Sequence, residues 1–293
     1  IGGNVANAAA CADSLPALAC HDTVVFLRGP GYTRPVPLCD LIQGANRADI
    51  WRGELITHLA LAVPPSGSMS ALHKLGRCNA QAISRLHWMR EGVALYGGFA
   101  GGETAREARD WETHPSVLDG ENTRLCVAGA SHTVLDGFTI TRGGSYYKCG
   151  GMRNEYCSPK VAHCVFQNNW GDSGGAVNNF ESSPVFSDCS FLENQSDGPG
   201  GAIYNTRSLL TLERCVFEEN LTESSGGGMY SYDGELSLSA CVFSRNSARR
   251  GGGLCTYNES STLLNCLFTA NAVYSLNGWE TYGGGIANSY GSD

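Results

Sequence analysis

The segment GGAIYNTRSLLTLERCVFEEN, residues 200–220, contains two phrases that recur along the chain. The first is Cys-x-Phe-x-x-Asn, which occurs five times between Cys164 and Asn271 at nearly constant intervals. The second is a small residue, a glycine, an alanine or glycine and an apolar residue, and it recurs between Cys149 and Ile286 in register with the first. Two motifs that share one period predict a solenoid, in which each period is one coil.

Stacked coils place equivalent residues above one another, so the repeats predict ladders of like side chains. The ladders of the first phrase are Cys164, Cys189, Cys215, Cys241 and Cys266; Phe166, Phe191, Phe217, Phe243 and Phe268; and Asn169, Asn194, Asn220, Asn246 and Asn271. A second polar column is Asn154, Asn179, Asn205, Ser231, Thr256 and Asn288, and an apolar column is Val161, Phe186, Leu212, Leu238 and Leu263. We expect the cysteines and apolar residues in the core. The asparagines are expected at corners, where an amide can hydrogen-bond the amides of adjacent coils.

Apolar residues within each repeat alternate with polar ones, as in Leu210-Thr-Leu212, which indicates β-strands. A coil of this length has room for two or three short strands, and glycine and asparagine tolerate the positive φ of tight corners. Leucine-rich repeats are of similar length, but their Leu-x-x-Leu-x-Leu-x-x-Asn pattern is missing. The sequence therefore predicts an all-β fold, a right-handed parallel β-helix (a solenoid) with an N-terminal cap.

The first third of the chain lacks the repeat. We predict two regions, with residues 1–90 as the N-terminal cap and first irregular coils with a loop insertion, and residues 91–293 as the β-helix repeats. Within the first region, a helix is predicted over residues 8–19 and a strand over residues 23–27. Residues 46–90 are expected to be irregular.

Two segments depart from the regular period. Residues 133–140 look like a degenerate early repeat, with Phe138 in the place of Phe166. The last interval between the glycine phrases, from Leu254 to Ile286, is longer than all the earlier ones, which predicts an inserted, protruding loop. Solenoids often carry binding residues on such loops, so the possible binding loop comprises Tyr274, Trp279 and Tyr282.

The phrases Gly200-Gly-Ala-Ile203 and Phe217-Glu-Glu-Asn220 resemble the hallmarks of the polymorphic outer-membrane-protein type of β-helix repeat. Residues 92–120 are similar to the segment that precedes such repeats in many large secreted and surface proteins. The resemblance covers residues 90–293 well and residues 8–40 loosely. It implies a right-handed parallel β-helix, export, and a surface, adhesive or structural role. It implies no catalytic residues, because its hallmarks are core and corner residues.

Charge is unevenly distributed along the chain. Residues 1–149 contain 13 basic and 13 acidic residues, whereas residues 150–293 contain 7 and 15, so the net charge of −8 comes from the repeat region. An acidic surface is a poor partner for nucleic acid or an anionic membrane. No apolar run reaches the length of about 18 residues that a membrane span needs. We predict no nucleic-acid partner, no membrane span in this chain and no cofactor.

Thirteen cysteines are many for a reduced compartment, and the number is odd. Outside the ladder, the predicted disulfides are Cys11 with Cys20 and Cys149 with Cys157. No Cys-x-x-Cys pair occurs, so no metal site is predicted. Of three glycosylation sequons, two begin at asparagines of the inward ladder, which leaves Asn258 as the possible glycosylation site.

An enzyme that acts on polysaccharide from this scaffold would use two or three acidic residues on one sheet face. The aspartates in or beside coils are Asp119, Asp136, Asp172, Asp188 and Asp197. Asp136 is expected in the cysteine column as a corner residue, and no histidine lies beside a paired acid in a recognisable motif. We therefore favour a non-catalytic extracellular or cell-surface β-helix that acts as a structural or adhesive rod. The alternative is a polysaccharide-binding or polysaccharide-cleaving β-helix, a lyase or glycoside hydrolase.

The repeats also suggest what the chain binds. A last coil has unpaired strand edges, and such edges are a template for adding another strand. We expect either self-association, end to end or lateral, or a cell-surface or carbohydrate partner. End-to-end stacking would make the chain a filament subunit.

Overall fold

The computed structural model describes residues 23–44, 47–61, 89, 91–100, 103, 105–145, 149–275 and 281–289. The chain divides into two compact units, residues 1–82 and residues 83–293. Within the described ranges, no helix has both the length and the apolar character that a membrane crossing needs.

The first unit is built around a small antiparallel sheet. Its elements are β1 (Val24–Gly29), β2 (Tyr32–Pro37), α1 (Leu38–Leu41), β3 (Ile42–Gly44), β4 (Arg47–Ala48) and β5 (Leu55–Ala60). The three-stranded sheet has the order β2-β1-β5, and β3 pairs with β4. Val25, Leu27, Leu38 and Leu41 form its core. The strand predicted near residue 24 is confirmed, the predicted helix over residues 8–19 lies outside the described residues, and the capping role stays a prediction.

Strand β5 was not expected, because residues 46–90 were predicted to be irregular. It is an exposed edge strand with little apolar periodicity, paired with β1 through a register shift. A partly buried ion pair holds the turn that precedes it. Arg34 Nε donates to Glu54 Oε1 at 2.7 Å, and hydrogen bonds from Arg34, Trp51 N and Tyr32 Oη lower the pKa of Glu54 to about 2.

The second unit is a parallel β-solenoid with four sheets. The first sheet contains β8 (Val127–Ala128), β12 (Met152–Glu155), β16 (Val177–Phe180), β20 (Ile203–Thr206), β24 (Met229–Tyr232), β28 (Leu254–Tyr257) and β32 (Ile286–Ser289). The second contains β6 (Ala94–Tyr96), β9 (Val134–Asp136), β13 (Lys160–Ala162), β17 (Val185–Ser187), β21 (Leu209–Glu213), β25 (Glu235–Ser239) and β29 (Ser260–Leu264). The third contains β7 (Ser116–Asp119), β10 (Phe138–Thr141), β14 (Val165–Gln167), β18 (Ser190–Leu192), β22 (Val216–Glu218), β26 (Val242–Ser244) and β30 (Leu267–Thr269). The fourth contains β11 (Gly144–Ser145), β15 (Trp170–Gly171), β19 (Gln195–Ser196), β23 (Leu221–Thr222), β27 (Ser247–Ala248) and β31 (Ala272–Val273).

Each regular coil contributes one strand to each sheet, and every strand pairs in parallel with its equivalent one coil away. The parallel solenoid predicted from the repeats is thus confirmed. The predicted two or three strands per coil were too few, because the coil also makes a two-residue strand after the asparagine position. Such a short strand has no readable alternation.

The phenylalanine ladder is a continuous stack in the core. Phe166 pairs with Phe191, Phe191 with Phe217, Phe217 with Phe243 and Phe243 with Phe268. Their successive ring centroids are 5.1, 4.6, 4.4 and 4.7 Å apart. The apolar column of Val161, Phe186, Leu212, Leu238 and Leu263 is also in register.

The cysteine column runs beside these rings. Each thiol donates to backbone carbonyls instead of forming a bridge; Cys189 Sγ, for example, lies 3.6 Å from Val161 O. Burial raises the pKa of the Cys189 thiol well above its usual value. These thiols therefore serve as small, neutral core side chains.

The asparagine ladder satisfies backbone groups as well as side chains. Asn220 Nδ2 donates to Phe191 O at 2.9 Å and to Asn246 Oδ1 at 2.8 Å, and Asn220 Oδ1 accepts from Asn194 Nδ2 at 3.0 Å. The second polar column also hydrogen-bonds from coil to coil, as in Asn154 Nδ2 to Asn179 Oδ1 at 2.9 Å. Both predicted columns are therefore present.

The glycine corners are as predicted, with positive φ at Gly174, Gly200 and Gly226, but the asparagine corners turn on a different residue from the one predicted. The ladder asparagines do not have positive φ; the residue before each one does, whether asparagine, glutamate, arginine or alanine, as at Glu219 (φ 56°) and Ala270 (φ 53°). The residue before each ladder cysteine behaves in the same way, as at His163 (φ 48°) and Arg214 (φ 51°). The left-handed turn thus directs the next side chain inward and leaves the corner side chain outside.

The register predicted for the earliest repeat was wrong by two residues. Ile140, not Phe138, pairs with Phe166, and Asp136 pairs with Ala162 instead of occupying the cysteine column. Ile140 and Phe166 are separated by the same interval as Phe191 and Phe217, so this coil has the ordinary length. Matching Phe138 to Phe166 gave the wrong register, because in this coil Ile140 occupies the position that phenylalanine has in the later coils.

Candidate functional site

A cleft lies on the outside of the first coils. Six residues line this cavity of about 360 Å³, which we call the Trp111 cleft: Tyr96, Arg106, Glu107, Arg109, Trp111 and Asp136. Tyr96 ends β6 and Asp136 ends β9, so both leave the second sheet at the same corner. The other four come from the segment between β6 and β7, which includes a single 3₁₀ turn at Arg106–Ala108.

Two glycines let this segment lie against the coils. Gly98 has φ of 88°, and a Cβ there would lie 2.7 Å from the backbone of Trp111. A Cβ on Gly97 would lie 2.3 Å from Gly137 O. Asp110 N donates to Gly98 O at 2.8 Å, and Gly98 N donates to Ser116 Oγ at 3.0 Å. The cleft is therefore held by backbone contacts that only glycine permits.

A nearly buried ion pair forms the floor of the cleft. Arg109 Nη2 lies 2.7 Å from Asp136 Oδ2, with only 7% and 12% of the two side chains exposed. Arg109 Nη1 also donates to Gly97 O at 3.1 Å and to Asp136 O at 3.2 Å. The guanidinium lies 5.2 Å from the Tyr96 ring centroid and 4.8 Å from that of Trp111. These contacts fix the two rings relative to the sheet.

The second carboxylate oxygen of Asp136 is also occupied. Asp136 Oδ1 lies 2.9 Å from His163 Nδ1, and the His163 ring packs against Trp111 with centroids 4.3 Å apart. His163 is one coil further on, about one third exposed. A proton on Nδ1 would be donated to Asp136, which leaves Nε2 as an acceptor. At this corner, His163 is therefore better placed than Asp136 to exchange a proton with a bound molecule.

The same corner continues as an ion pair on the next coils. Arg214 Nε and Nη2 donate to Asp188 Oδ1 and Oδ2 at 2.7 and 2.8 Å. The hydrogen bond and the charge of Arg214 lower the pKa of Asp188. Corner charges beyond the cleft therefore neutralise one another.

The five aspartates named from the sequence do not gather on one sheet face. Asp119 is paired with Arg142, and Asp197 Oδ1 accepts from Trp170 Nε1 at 3.2 Å. Asp172 is exposed, and its backbone carbonyl accepts a hydrogen bond from Gly198 N at 2.7 Å. Only Asp136 and Asp188 approach a common group, His163.

The predicted binding loop is only partly described. Tyr274 lies against the solenoid, where its hydroxyl donates to Thr222 O at 2.7 Å. Tyr282 is 47% exposed and lies beneath the Arg250 guanidinium at 5.5 Å. Trp279 lies outside the described residues, so the loop as a binding site stays a prediction.

The cysteine and glycosylation predictions have different outcomes. Cys149 and Cys157 are not bridged; Cys149 Sγ donates to Met152 O at 3.0 Å, in its own corner. Cys11 and Cys20 lie outside the described residues. Asn258 is an exposed corner residue whose Nδ2 donates to Asp233 Oδ1 at 3.0 Å, and its glycosylation stays a prediction.

Sequence reasoning missed Tyr96, Arg109, Trp111 and His163 as members of one site. His163 follows Asp136 by little more than one period, so carrying the repeat one coil further back would have made them neighbours. Trp111 and Arg109 precede the first repeat, where no period exists to place them. Among the described residues, no group of three histidine, cysteine, aspartate or glutamate side chains is arranged to hold a metal ion.

Comparison with known families identifies the solenoid. The model of the right-handed beta helix region matches residues 111–273, which is more than half of the chain. A second model, the FAD binding domain in molybdopterin dehydrogenase, matches residues 1–65. No curated protein and no solved structure matches the chain significantly.

The described part of the second match does not fit a flavin. Within residues 23–44 and 47–61, no buried side-chain nitrogen or oxygen lacks a hydrogen-bond partner. The buried carboxylate of Glu54 is paired with Arg34, which is partly exposed and also pairs with Asp49. Gly31 and Gly53 have positive φ, but no atom lies within 4 Å of where a Cβ would stand at either one. They therefore do not form the close backbone approach that a bound phosphate or ring would need. These residues therefore offer no flavin site of their own.

Proposed function

The chain belongs to the right-handed β-helix family, and from that premise we propose that it is a non-catalytic extracellular or cell-surface rod with an adhesive role. The ladders make a stiff scaffold, and the Trp111 cleft offers a binding site at one part of it. We propose that the partner is a cell-surface carbohydrate. Aromatic rings beside charged hydrogen-bond donors suit a sugar, which has both apolar faces and hydroxyl groups.

The observation that carries this proposal is the state of the carboxylates in the cleft. Both oxygens of Asp136 are engaged, by Arg109 and His163. Glu107 Oε1 accepts from Arg106 Nε and Nη2 at 3.1 and 2.9 Å. Glycoside hydrolysis needs one carboxyl to donate a proton and another to act on the sugar or on water. This arrangement supports binding better than that chemistry.

The test is binding to a panel of neutral and acidic polysaccharides, measured by calorimetry with Trp111→Ala and with Tyr156→Ala as a matched aromatic control. Tyr156 is 70% exposed and lies outside the cleft. We expect Trp111→Ala to weaken binding at least about tenfold. One aromatic contact is worth about 1.4 kcal/mol, and that free energy corresponds to a tenfold change in affinity. Equal affinity of the two variants, or no binding by the unmodified protein, would contradict the proposal.

A polysaccharide-cleaving enzyme is the second candidate, and the Asp136–His163 pair is the observation that favours it. An aspartate that orients a histidine is a common way to prepare a general base. New reducing ends or unsaturated sugar products should be sought after incubation with the same panel. Turnover that His163→Ala and Asp136→Asn abolish, and Asp172→Asn does not, would replace the binding proposal.

Self-association is the second partner proposal. On the last regular coil, Leu264 and Leu267 are 58% and 55% exposed, and β29, β30 and β31 are edge strands of their sheets. Such edges can receive another coil, from a second copy or from chain that follows. Sedimentation and electron microscopy over a concentration series test this, and a strictly monomeric species at high concentration would count against filaments.

Export is also part of the proposal, by the resemblance to surface β-helix repeats. Antibody labelling of intact producing cells, compared with permeabilised ones, tests it directly. Labelling that requires permeabilisation would place the protein inside the cell and remove the adhesive role. Mass spectrometry of the peptide that contains Asn258 would report glycosylation in the same material.

A further inference from the structure

Glu259 interrupts a small-residue column inside the solenoid. The position just before the second-sheet strand of each coil is occupied by Ser208, Gly234 and Glu259 in successive coils. One coil earlier, the column is a hydrogen-bonded ladder, in which Ser182 N donates to Ser208 Oγ at 3.0 Å. A carboxylate therefore stands where earlier coils have a hydroxyl or no side chain.

The side chain of Glu259 is buried without a polar partner. The residue is 6% exposed, and neither carboxylate oxygen has a hydrogen bond. The adjacent coil has the smallest members of two columns here, Gly234 after Ser208 and Ser231 after Asn205. A Cβ on Gly234 would lie 2.4 Å from Ser208 O, so the small side chain that interacts with Glu259 is that of Ser231.

No cation lies opposite this carboxylate on the neighbouring described elements. The titratable groups of β24, β25, β28 and of the turn that directly follows β24 are Tyr230, Tyr232, Asp233, Glu235, Cys255 and Tyr257. The tyrosines and Cys255 alternate with inward residues of their strands, and Asp233 accepts from Asn258. Strands β29 and β32 contribute no titratable side chain.

We propose that Glu259 makes the last coils of the solenoid, β28 to β31, more stable in acid than at neutral pH. A protonated carboxyl can be buried at modest cost and can donate a hydrogen bond, whereas an unpaired carboxylate at this place is strongly disfavoured. Burial accordingly raises the pKa of Glu259 to about 7, an effect that nearby Ser231 opposes without a hydrogen bond of good geometry.

The direction of the pH effect follows from proton binding. Between the usual pKa of 4.5 and about 7, the folded chain holds a proton at Glu259 that the unfolded chain has lost. The stabilisation is therefore complete below the lower value and is lost as pH rises through the upper one. A shift of this size corresponds to a change of about 300-fold in the local opening constant.

The experiment compares the unmodified protein with Glu259→Gln and with Glu235→Gln, which alters an exposed carboxylate on the adjacent coil. Hydrogen exchange of residues 254–273, corrected for intrinsic rates, is followed from pH 4.5 to 8. We expect protection of these residues to fall with pH in the unmodified protein and in Glu235→Gln, and to stay constant in Glu259→Gln. At pH 8, Glu259→Gln should be the best protected of the three.

Two results would overturn the inference. One is a Glu259→Gln protein that loses protection with pH as the unmodified protein does. The other needs no variant and therefore holds even if Glu259→Gln does not fold: unmodified protein whose residues 254–273 keep or gain protection between pH 4.5 and 7.

Infrared detection of a protonated carboxyl at pH 6, absent in Glu259→Gln, would identify the group directly.

Discussion

The regular coils and the first coils belong to one solenoid but are stabilised by different contacts. From Cys164 to Asn271, the ladder positions stack like on like, so a phenylalanine ring or an asparagine amide contacts its equivalent in the next coil. Around Asp136, the contacts are between unlike residues: an arginine, a histidine and two aromatic rings. The regular coils use their polar groups internally, whereas the first coils leave theirs facing a cleft. Repetition gives rigidity, and its interruption gives a place for binding.

The largest effect should come from breaking the aromatic stack. Phe217→Ala removes a ring that contacts Phe191 and Phe243 on both faces, and it should lower the free energy of unfolding by about 3–5 kcal/mol. Phe180→Ala, on an outward position of β16, should cost much less. Urea unfolding followed by circular dichroism measures both free energies of unfolding. Equal decreases in the two variants would contradict the prediction that the phenylalanine stack is the main stabiliser of the regular coils.

The asparagine ladder should come next. Asn220→Ala removes an amide that donates to Phe191 O and Asn246 Oδ1 and accepts from Asn194 N and Nδ2, at a cost of about 2–4 kcal/mol. The exposed Asn258→Ala should change stability little. If the two variants unfold at the same denaturant concentration, the hydrogen bonds of the asparagine ladder do not stabilise the solenoid, and the prediction is wrong.

The first coils should respond to loss of their ion pair. Arg109→Met leaves Asp136 with one partner, His163, and should destabilise the segment before β7 by about 2 kcal/mol. The double variant Arg109→Met with Asp136→Asn should recover part of that loss, because no uncompensated charge remains. Hydrogen exchange of residues 105–120 measures this, and a double variant worse than the single one contradicts it.

The smallest effect should come from the exposed corner pair. Arg214→Ala removes the partner of Asp188 and should change stability only slightly, because the pair is exposed to solvent. The pKa of Asp188 is lowered, so its contribution exists above the usual 3.8 and is lost as pH falls below it. Thermal unfolding of both proteins at pH 7 and pH 2.5 should show the difference at pH 7 alone; a difference that persists at pH 2.5 would point to packing.

The solenoid could be predicted from the sequence because the same residue types, phenylalanine and asparagine among them, recur at each period. The Phe and Asn columns need no structure to be found, since each recurs once per coil at a nearly fixed interval. The corners were harder, because positive φ falls on residues such as Glu219 and Ala270 that have no turn preference. The cleft was hidden for another reason: Trp111 and Arg109 reach Asp136 through a segment without periodicity. Contacts of unlike residues leave no repeated signal.

We propose that binding resides in the first coils and that the regular coils serve as the scaffold. Hydrogen exchange with and without saturating polysaccharide from the panel, a neutral β-glucan and polygalacturonate among them, maps the contact along the whole chain. We predict new protection at residues 94–96, 105–111 and 134–136, and unchanged exchange at residues 185–248. Protection confined to the regular coils, or no change with any polysaccharide, would contradict it.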